Sequence, residues 1–496
     1  MMKKILPIVS LIMLCAVLFA ACSAGPSDYA PKDWSATFPN RIESDGNYNY
    51  DEVKENDFVQ TETNAESYFS LDRNTAAYGY MRRQINEGLT IAKNSVRLEE
   101  YVNYFNYNYD RPTDGNALAI GGSVFDCPWN AEHKLFKIGV AAEEVNMDGA
   151  KTNNLVFLID TSGSMYGDDR LGLIQQAFTM LTENLGDADY ISIVTYAGDS
   201  RVALDGARGN EKTKIANVLQ DLTADGSTNG QGGLEKAYAV AQKYFDSSFN
   251  NRVIIATDGD FNVGVSDKYS LTDLISQKRS SGIYLSVLGV GMYNTNDVTM
   301  KTLAENGNGN YAYLDSVSEA RKVLVEELGG TINTVAKDCK IGVTFNKDVV
   351  ESFRLIGYET KTMSREEFED ENKDAGEIGS GHTVTAVYEV ALKGEAAQGE
   401  VATAKINYKD PSTDQSKSVS KTFTLEEHYT ATPSEDDVFV GCVVEFGLLL
   451  RDSEYKADAS FASVLARLGK LNCVATDQFK AEFLTLVSKA ARMYEK

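Results

Sequence analysis

The stretch Leu155-Val-Phe-Leu-Ile-Asp-Thr-Ser-Gly-Ser-Met165 constrains this chain more than any other. Five consecutive apolar residues, Leu155 to Ile159, lack the alternation of a strand with one wet face. They predict a strand buried on both sides, in a parallel sheet covered by helices. The sequence then turns polar: Asp160, Ser162 and Ser164 place oxygen-bearing side chains on alternate positions, and Gly163 permits a sharp turn. In open α/β sheets, ligands bind where strands end at their carboxyl edge. Hard oxygen donors without imidazole or thiolate suit Mg²⁺, Mn²⁺ or Ca²⁺ and argue against zinc.

Asp-x-Ser-x-Ser alone is a weak signal, expected by chance in about one chain in eight of this size. The competing reading makes the serines helix caps and the aspartate a turn residue. Context decides between them. A helix candidate around Ile215 is followed by Asp225-Gly-Ser-Thr228-Asn-Gly and another helical run. Later Val253-Ile-Ile-Ala-Thr-Asp258-Gly supplies a second buried strand ending in an aspartate. Three element edges thus offer hydroxyl or carboxylate oxygens in the order one metal centre needs.

Strand candidates at 155–160, 190–197, 201–204, 252–258, 283–290 and 311–314 alternate with helical runs at 170–185, 211–221, 231–245, 270–280, 297–305 and 317–331. That alternation predicts a doubly wound, Rossmann-like α/β domain. The 201–204 strand follows its predecessor after three residues, so it is expected to pair antiparallel at the edge. Asp258-Gly-Asp260-Phe-Asn262-Val-Gly264 fails as an EF-hand loop, because Val263 and Tyr269 stand where glycine and an acid are required.

The set Asp160, Ser162, Ser164, Thr228 and Asp258 resembles the metal-ion-dependent adhesion site of von Willebrand factor type A (VWA) domains. The resemblance implies a domain over about 151–334 and a cation, Mg²⁺ foremost with Mn²⁺ or Ca²⁺ as alternatives. It implies that the serines and threonine approach the cation and that the aspartates act directly or through water. One further position is left for an Asp or Glu of a partner protein. Phe69-Ser-Leu-Asp72, Tyr78, Arg82-Arg83, Val96-Arg-Leu-Glu-Glu100, Asn103-Tyr-Phe105 and the 377–389 stretch resemble the YfbK-like family of bacterial envelope proteins. Together the resemblances span roughly 68 to 490.

The flanks follow from patterning. Runs at 118–125 and 134–142 alternate as strands but have no helix between them and cannot bury a face alone. Five more follow at 339–345, 352–358, 383–392, 401–408 and 418–425. Joining the sets gives a β-sandwich over 113–150 and 335–430, with the α/β domain inserted. Residues 66–112 read as an N-terminal helical segment, in which Tyr101, Tyr104, Phe105, Tyr107 and Tyr109 are packing residues. Helical runs at 435–452, 457–469 and 475–495 form a C-terminal region expected to pack back on the body. The acidic run 366–377 reads as a solvated loop, and His382 as a turn or a satisfied core histidine.

Residues 1–22 form a targeting segment: Lys3 and Lys4, then the apolar Ile5–Leu18, too short to span a bilayer. Phe19-Ala-Ala-Cys22 resembles a lipoprotein cleavage box, implying lipidation of Cys22 and an extracytoplasmic protein anchored to a bacterial membrane. The polar stretch 23–65 reads as a flexible tether. Cys127, Cys339, Cys442 and Cys473 could pair outside the cytoplasm in any of three connectivities. A net charge of −24 disfavours nucleic acid as a partner.

The inventory offers little for catalysis. The three histidines are isolated, and no Gly-x-Ser-x-Gly, His-Glu-x-x-His or phosphate-cradling glycine loop occurs. The reading is a non-enzymatic, metal-dependent adhesion or assembly module. The alternatives are a metal-assisted hydrolase and a scaffold whose metal is purely structural.

Overall fold

The computed structural model describes residues 54–145, 151–259, 268–291, 296–327, 330, 333–394 and 398–495. At its centre is a six-stranded sheet in the order Tyr311–Tyr313, Tyr284–Gly289, Asn250–Thr257, Asn153–Asp160, Tyr190–Tyr196, Ser200–Arg208. The first five run parallel, and Ser200–Arg208 closes the edge as an antiparallel hairpin partner. Every residue of Asn153–Asp160 is buried. Its alternate side chains feed two different cores. Leu155, Phe157 and Ile159 pack with the helix Leu171–Glu183, and Phe157 stacks on Phe178 at 4.1 Å between centroids. Val156 and Leu158 pack with Leu234, Ala237 and Tyr238 of the helix Gly230–Lys243. A strand apolar on both faces is thereby a doubly wound strand.

The sandwich has two antiparallel sheets. One runs Val59–Gln60, Val350–Ile356, Thr383–Leu392, His133–Ala142, Leu118–Asp126. The other centres on Thr334–Phe345, flanked by Glu400–Lys409 and then Ser416–Thr424 on one side, and by Gly376–Gly379 and Glu66–Ser70 on the other. Phe136, Phe345, Phe353, Tyr388 and Phe423 fill the space between. The chain leaves this sandwich after Ala142 and returns at Thr334, so the α/β domain is an insertion.

Two expectations for the N-terminal side are corrected. Within the tether stretch 23–65, Val59 and Gln60 pair with Phe353 and Ser352. The helical segment 66–112 opens with a strand, Glu66–Ser70, whose Phe69 is fully buried in the sandwich. Edge strands need only backbone partners and tolerate polar outward faces, so composition hides them.

Helices Ala76–Asn86 and Leu98–Asn103 form a further core with the C-terminal helices Glu435–Arg451, Phe461–Leu468 and Gln478–Tyr494. Tyr78 and Tyr104 stack at 3.8 Å, Tyr101, Phe105 and Tyr107 are buried with them, and Tyr109 packs against the cluster. Among the described residues no helix is long and apolar enough to cross a membrane. Cys127, Cys339, Cys442 and Cys473 stand as free thiols in this structure, the first three buried. The acidic run 366–377 is solvated over most of its length, but Glu377 lies in the strand Gly376–Gly379 and is buried. His382 is buried, yet neither ring nitrogen has a hydrogen-bond partner among the described residues, so it is a core histidine but not a satisfied one.

The helix Ala76–Asn86 also grips the inserted domain. Arg82 pairs with Asp315 at 2.5 Å and Glu319 at 2.8 Å, and Arg97 reaches Asp297 at 2.5 Å. A Cβ on Gly79 would stand 2.8 Å from the Tyr313 carbonyl oxygen, so glycine allows this helix to cover the edge strand Tyr311–Tyr313.

Candidate metal centre

The carboxyl edge of the parallel sheet gathers the residues singled out from the sequence. Asn153–Asp160 and Asn250–Thr257 are hydrogen-bonded neighbours, with Ile159 opposite Ala256, so Thr257 stands level with Asp160 and Asp258 follows it at the same sheet edge. Both are buried, at 0% and 2% exposure. The turn after Asp160 is fixed locally. Its Oδ1 accepts from the Ser162 backbone N–H at 2.9 Å, and the Thr257 hydroxyl donates to its Oδ2 at 3.1 Å. The hydroxyls of Ser162 and Ser164 face each other at 3.0 Å.

The loop carrying Thr228 is tied to the same turn. The Asp225 N–H donates to the Thr161 carbonyl at 2.8 Å, and the Gly163 N–H donates to the Gly226 carbonyl at 3.0 Å. Gly226 has φ +87°, a conformation that favours glycine. Thr228 itself is half-buried, two residues before the helix Gly230–Lys243, whose N-cap is Asn229. Of the sequence-selected residues, Asp160, Ser162, Ser164 and Asp258 stand together, and Thr228 sits in the loop bound to their turn. Asp260 and Asn262 lie outside the described residues, as does Cys22.

Burial pushes the Asp160 carboxyl up to about 6, and the neighbouring Asp258 charge adds to the rise. No Lys or Arg among the described residues forms a salt bridge with Asp160. Buried carboxylates side by side are costly unless a cation compensates them. Two carboxylates and three hydroxyls make a hard-oxygen donor set, which fits Mg²⁺, Mn²⁺ or Ca²⁺. Among the described residues no three His, Cys, Asp or Glu side chains cluster as metal ligands, so any cation here depends on the hydroxyls.

Two supporting residues were not legible from the sequence. Thr257, directly before Asp258, orients Asp160. Tyr196 ends the neighbouring strand with its phenol against Asp160 and Thr257, and its carbonyl accepts from Thr161 at 2.9 Å. Both end strands, as Asp160 does; that position was the available signal.

Comparison with known proteins places this architecture. The model of the von Willebrand factor type A domain matches residues 154–328, one described as von Willebrand factor matches 44–137, and the C-terminal model of the uncharacterized protein YfbK matches 330–493. The uncharacterized protein YfbK of Escherichia coli (strain K12) is 38% identical over 474 residues, covering 90% of this chain and 82% of that protein. Human inter-alpha-trypsin inhibitor heavy chain H3 is 26% identical over 38% of this chain and 22% of its own length. Among solved structures, a von Willebrand factor type A protein from Catenulispora acidiphila has a TM-score of 0.44 and 14% identity, covering 75% of this chain and 89% of that one. The chain belongs to the YfbK-like family of bacterial proteins built around a VWA domain.

Proposed function

We propose that this protein is a metal-dependent protein-binding module, extracytoplasmic and anchored to a bacterial cell membrane or envelope by a lipid on Cys22. Asp160, Ser162, Ser164, Thr228 and Asp258 are the proposed cation ligands, with Mg²⁺ the preferred ion and Mn²⁺ or Ca²⁺ the alternatives. The observation that carries this reading is the meeting of two buried aspartates and two facing serine hydroxyls at one sheet edge.

When bound, the cation supplies a positive charge that can attract a carboxylate from a partner's Asp or Glu. The chain's own residues prepare that encounter. Ser162 N–H and Thr257 hold the Asp160 carboxylate in place, so little ordering entropy is spent on binding. A compact, charge-assisted contact of this kind can anchor an interface whose remaining contacts are weaker. No catalytic step is assigned to these residues.

The leader Lys3–Cys22 supports the anchoring. Cross-linking in cells, comparing wild type with Asp160→Ala and with EDTA treatment, tests the reading. A partner captured by wild type and lost in both other conditions supports it. Equal capture by Asp160→Ala at unchanged protein level overturns it.

A further inference from the structure

We infer that Arg83, outside the VWA domain, is a positioning residue for the metal centre, so that the N-terminal helix completes the site. This rests on the metal reading above and extends it to a residue outside the five proposed ligands. Arg83 lies near the carboxyl end of Ala76–Asn86. Its Nη2 donates to Asp169 Oδ2 at 2.6 Å, its Nη1 to the Tyr313 hydroxyl at 3.3 Å, and its Nε to Glu87 at 3.2 Å. Asp169 belongs to the loop that runs on from Ser162 and Ser164.

The loop is closed on itself and is also braced from outside. The N–H groups of Arg170 and Gly172 donate to the Gly167 carbonyl at 3.3 and 3.1 Å, and Gly167 has φ +137°. Arg170 Nη1 donates to the Ser164 carbonyl at 3.0 Å and reaches the Tyr166 carbonyl at 3.5 Å. Tyr313 donates to the Gly291 carbonyl at 2.5 Å, and a Cβ on Gly291 would lie 2.6 Å from Arg170 Nε. Two routes thus lead from Arg83 to Ser164. One passes through Asp169; the other passes through Tyr313, Gly291 and Arg170.

Arg83 is largely buried while Asp169 is about half exposed, at 13% and 47% of their side chains. A pair of that exposure adds little to global stability. Its effect falls on the loop geometry instead, and groups that orient metal ligands typically change affinity by about 10- to 100-fold when removed. Arg83 acts one step further out, so the lower end applies. The tip residue Tyr166, two positions on from Ser164, is 81% exposed.

The test is calorimetric titration of the full mature chain with Mg²⁺, beside amide hydrogen exchange of residues 160–170 without metal. Arg83→Gln should weaken Mg²⁺ binding on the order of tenfold and speed exchange in that loop, with the metal-free melting temperature unchanged. Asp169→Asn, which cuts one of the two routes, should do the same in smaller degree, the double variant should lose no more than Arg83→Gln alone, and Arg83→Lys should recover part of the affinity. Wild-type affinity and exchange in Arg83→Gln overturn the inference and leave the metal reading standing. Weakened binding matched by a lower metal-free melting temperature overturns it in favour of a merely structural role. A wild type that binds none of Mg²⁺, Mn²⁺ and Ca²⁺ refutes the metal reading and this inference with it.

Discussion

Replacing Asp160 with Asn should change stability in opposite senses with and without metal. The carboxyl is fully buried and held at about 6, against an unfolded value near 3.8. A raised folded value in an acid means that ionisation in the fold is costly. The cost is absent below about pH 4, grows as the pH rises to about 6, and is complete above that. Some two units correspond to about 3 kcal/mol at pH 7. Asn has the same shape, keeps an oxygen for the Ser162 N–H, and donates its Nδ2 to a Thr257 hydroxyl that turns to accept. In EDTA at pH 7, Asp160→Asn should therefore melt about 5 to 10 °C above wild type, for a domain of this size. At pH 4 the two should melt together. Adding Mg²⁺ at a hundred times its dissociation constant should stabilise wild type by about 2.7 kcal/mol and leave Asp160→Asn unmoved. Differential scanning fluorimetry across pH, with EDTA or Mg²⁺, reads both effects. If Asp160→Asn melts below wild type in EDTA, the carboxylate is already compensated within the chain and the reasoning fails.

Arg82→Met should cost about 3 to 5 kcal/mol in chemical denaturation, because it strands the nearly buried Asp315 and Glu319 carboxylates; a loss below about 1 kcal/mol would contradict the clamp between N-terminal helix and VWA domain. Burial, aided by the Arg73 charge, depresses His382 to about 3. Its stabilising contribution is present above about pH 6.5 and drains away as the pH falls toward 3, so His382→Gln should flatten the acid limb of a stability profile by up to about 1.4 kcal/mol per pH unit. Among the four cysteines of the described residues, thiol titration of the native protein should find only Cys473 partly accessible, with Cys127, Cys339 and Cys442 reacting after unfolding; fewer than these four thiols on unfolding without reductant would reveal a disulfide.

The VWA domain was readable because its central strands are apolar on both faces, and that pattern has few other uses. Leu155–Ile159 announced both the sheet and the edge at which Asp160 stands. The sandwich could be inferred from strands short of partners, although its halves lie nearly 200 positions apart (Ala142 to Thr334). Val59–Gln60 and Glu66–Ser70 were not legible, since the first is two residues long and the second buries only Phe69, so each is defined chiefly by the backbone it meets. The site's supports were hidden for a related reason. Thr257, Tyr196 and Arg83 are ordinary residues whose roles depend on which carboxylate or loop the fold brings to them. His382 was half legible: a position after Gly-Ser-Gly at a strand start pointed to burial, but nothing local told that its ring nitrogens would lack partners.

The proposed cation is held by loops distant in sequence. Anomalous diffraction from crystals grown with Mn²⁺ tests it most directly. The account predicts one strong peak among the carboxylates of Asp160 and Asp258 and the hydroxyls of Ser162, Ser164 and Thr228, lost in Asp160→Ala crystals. Well-ordered crystals with no peak at that sheet edge, or a peak unaffected by the substitution, would contradict it.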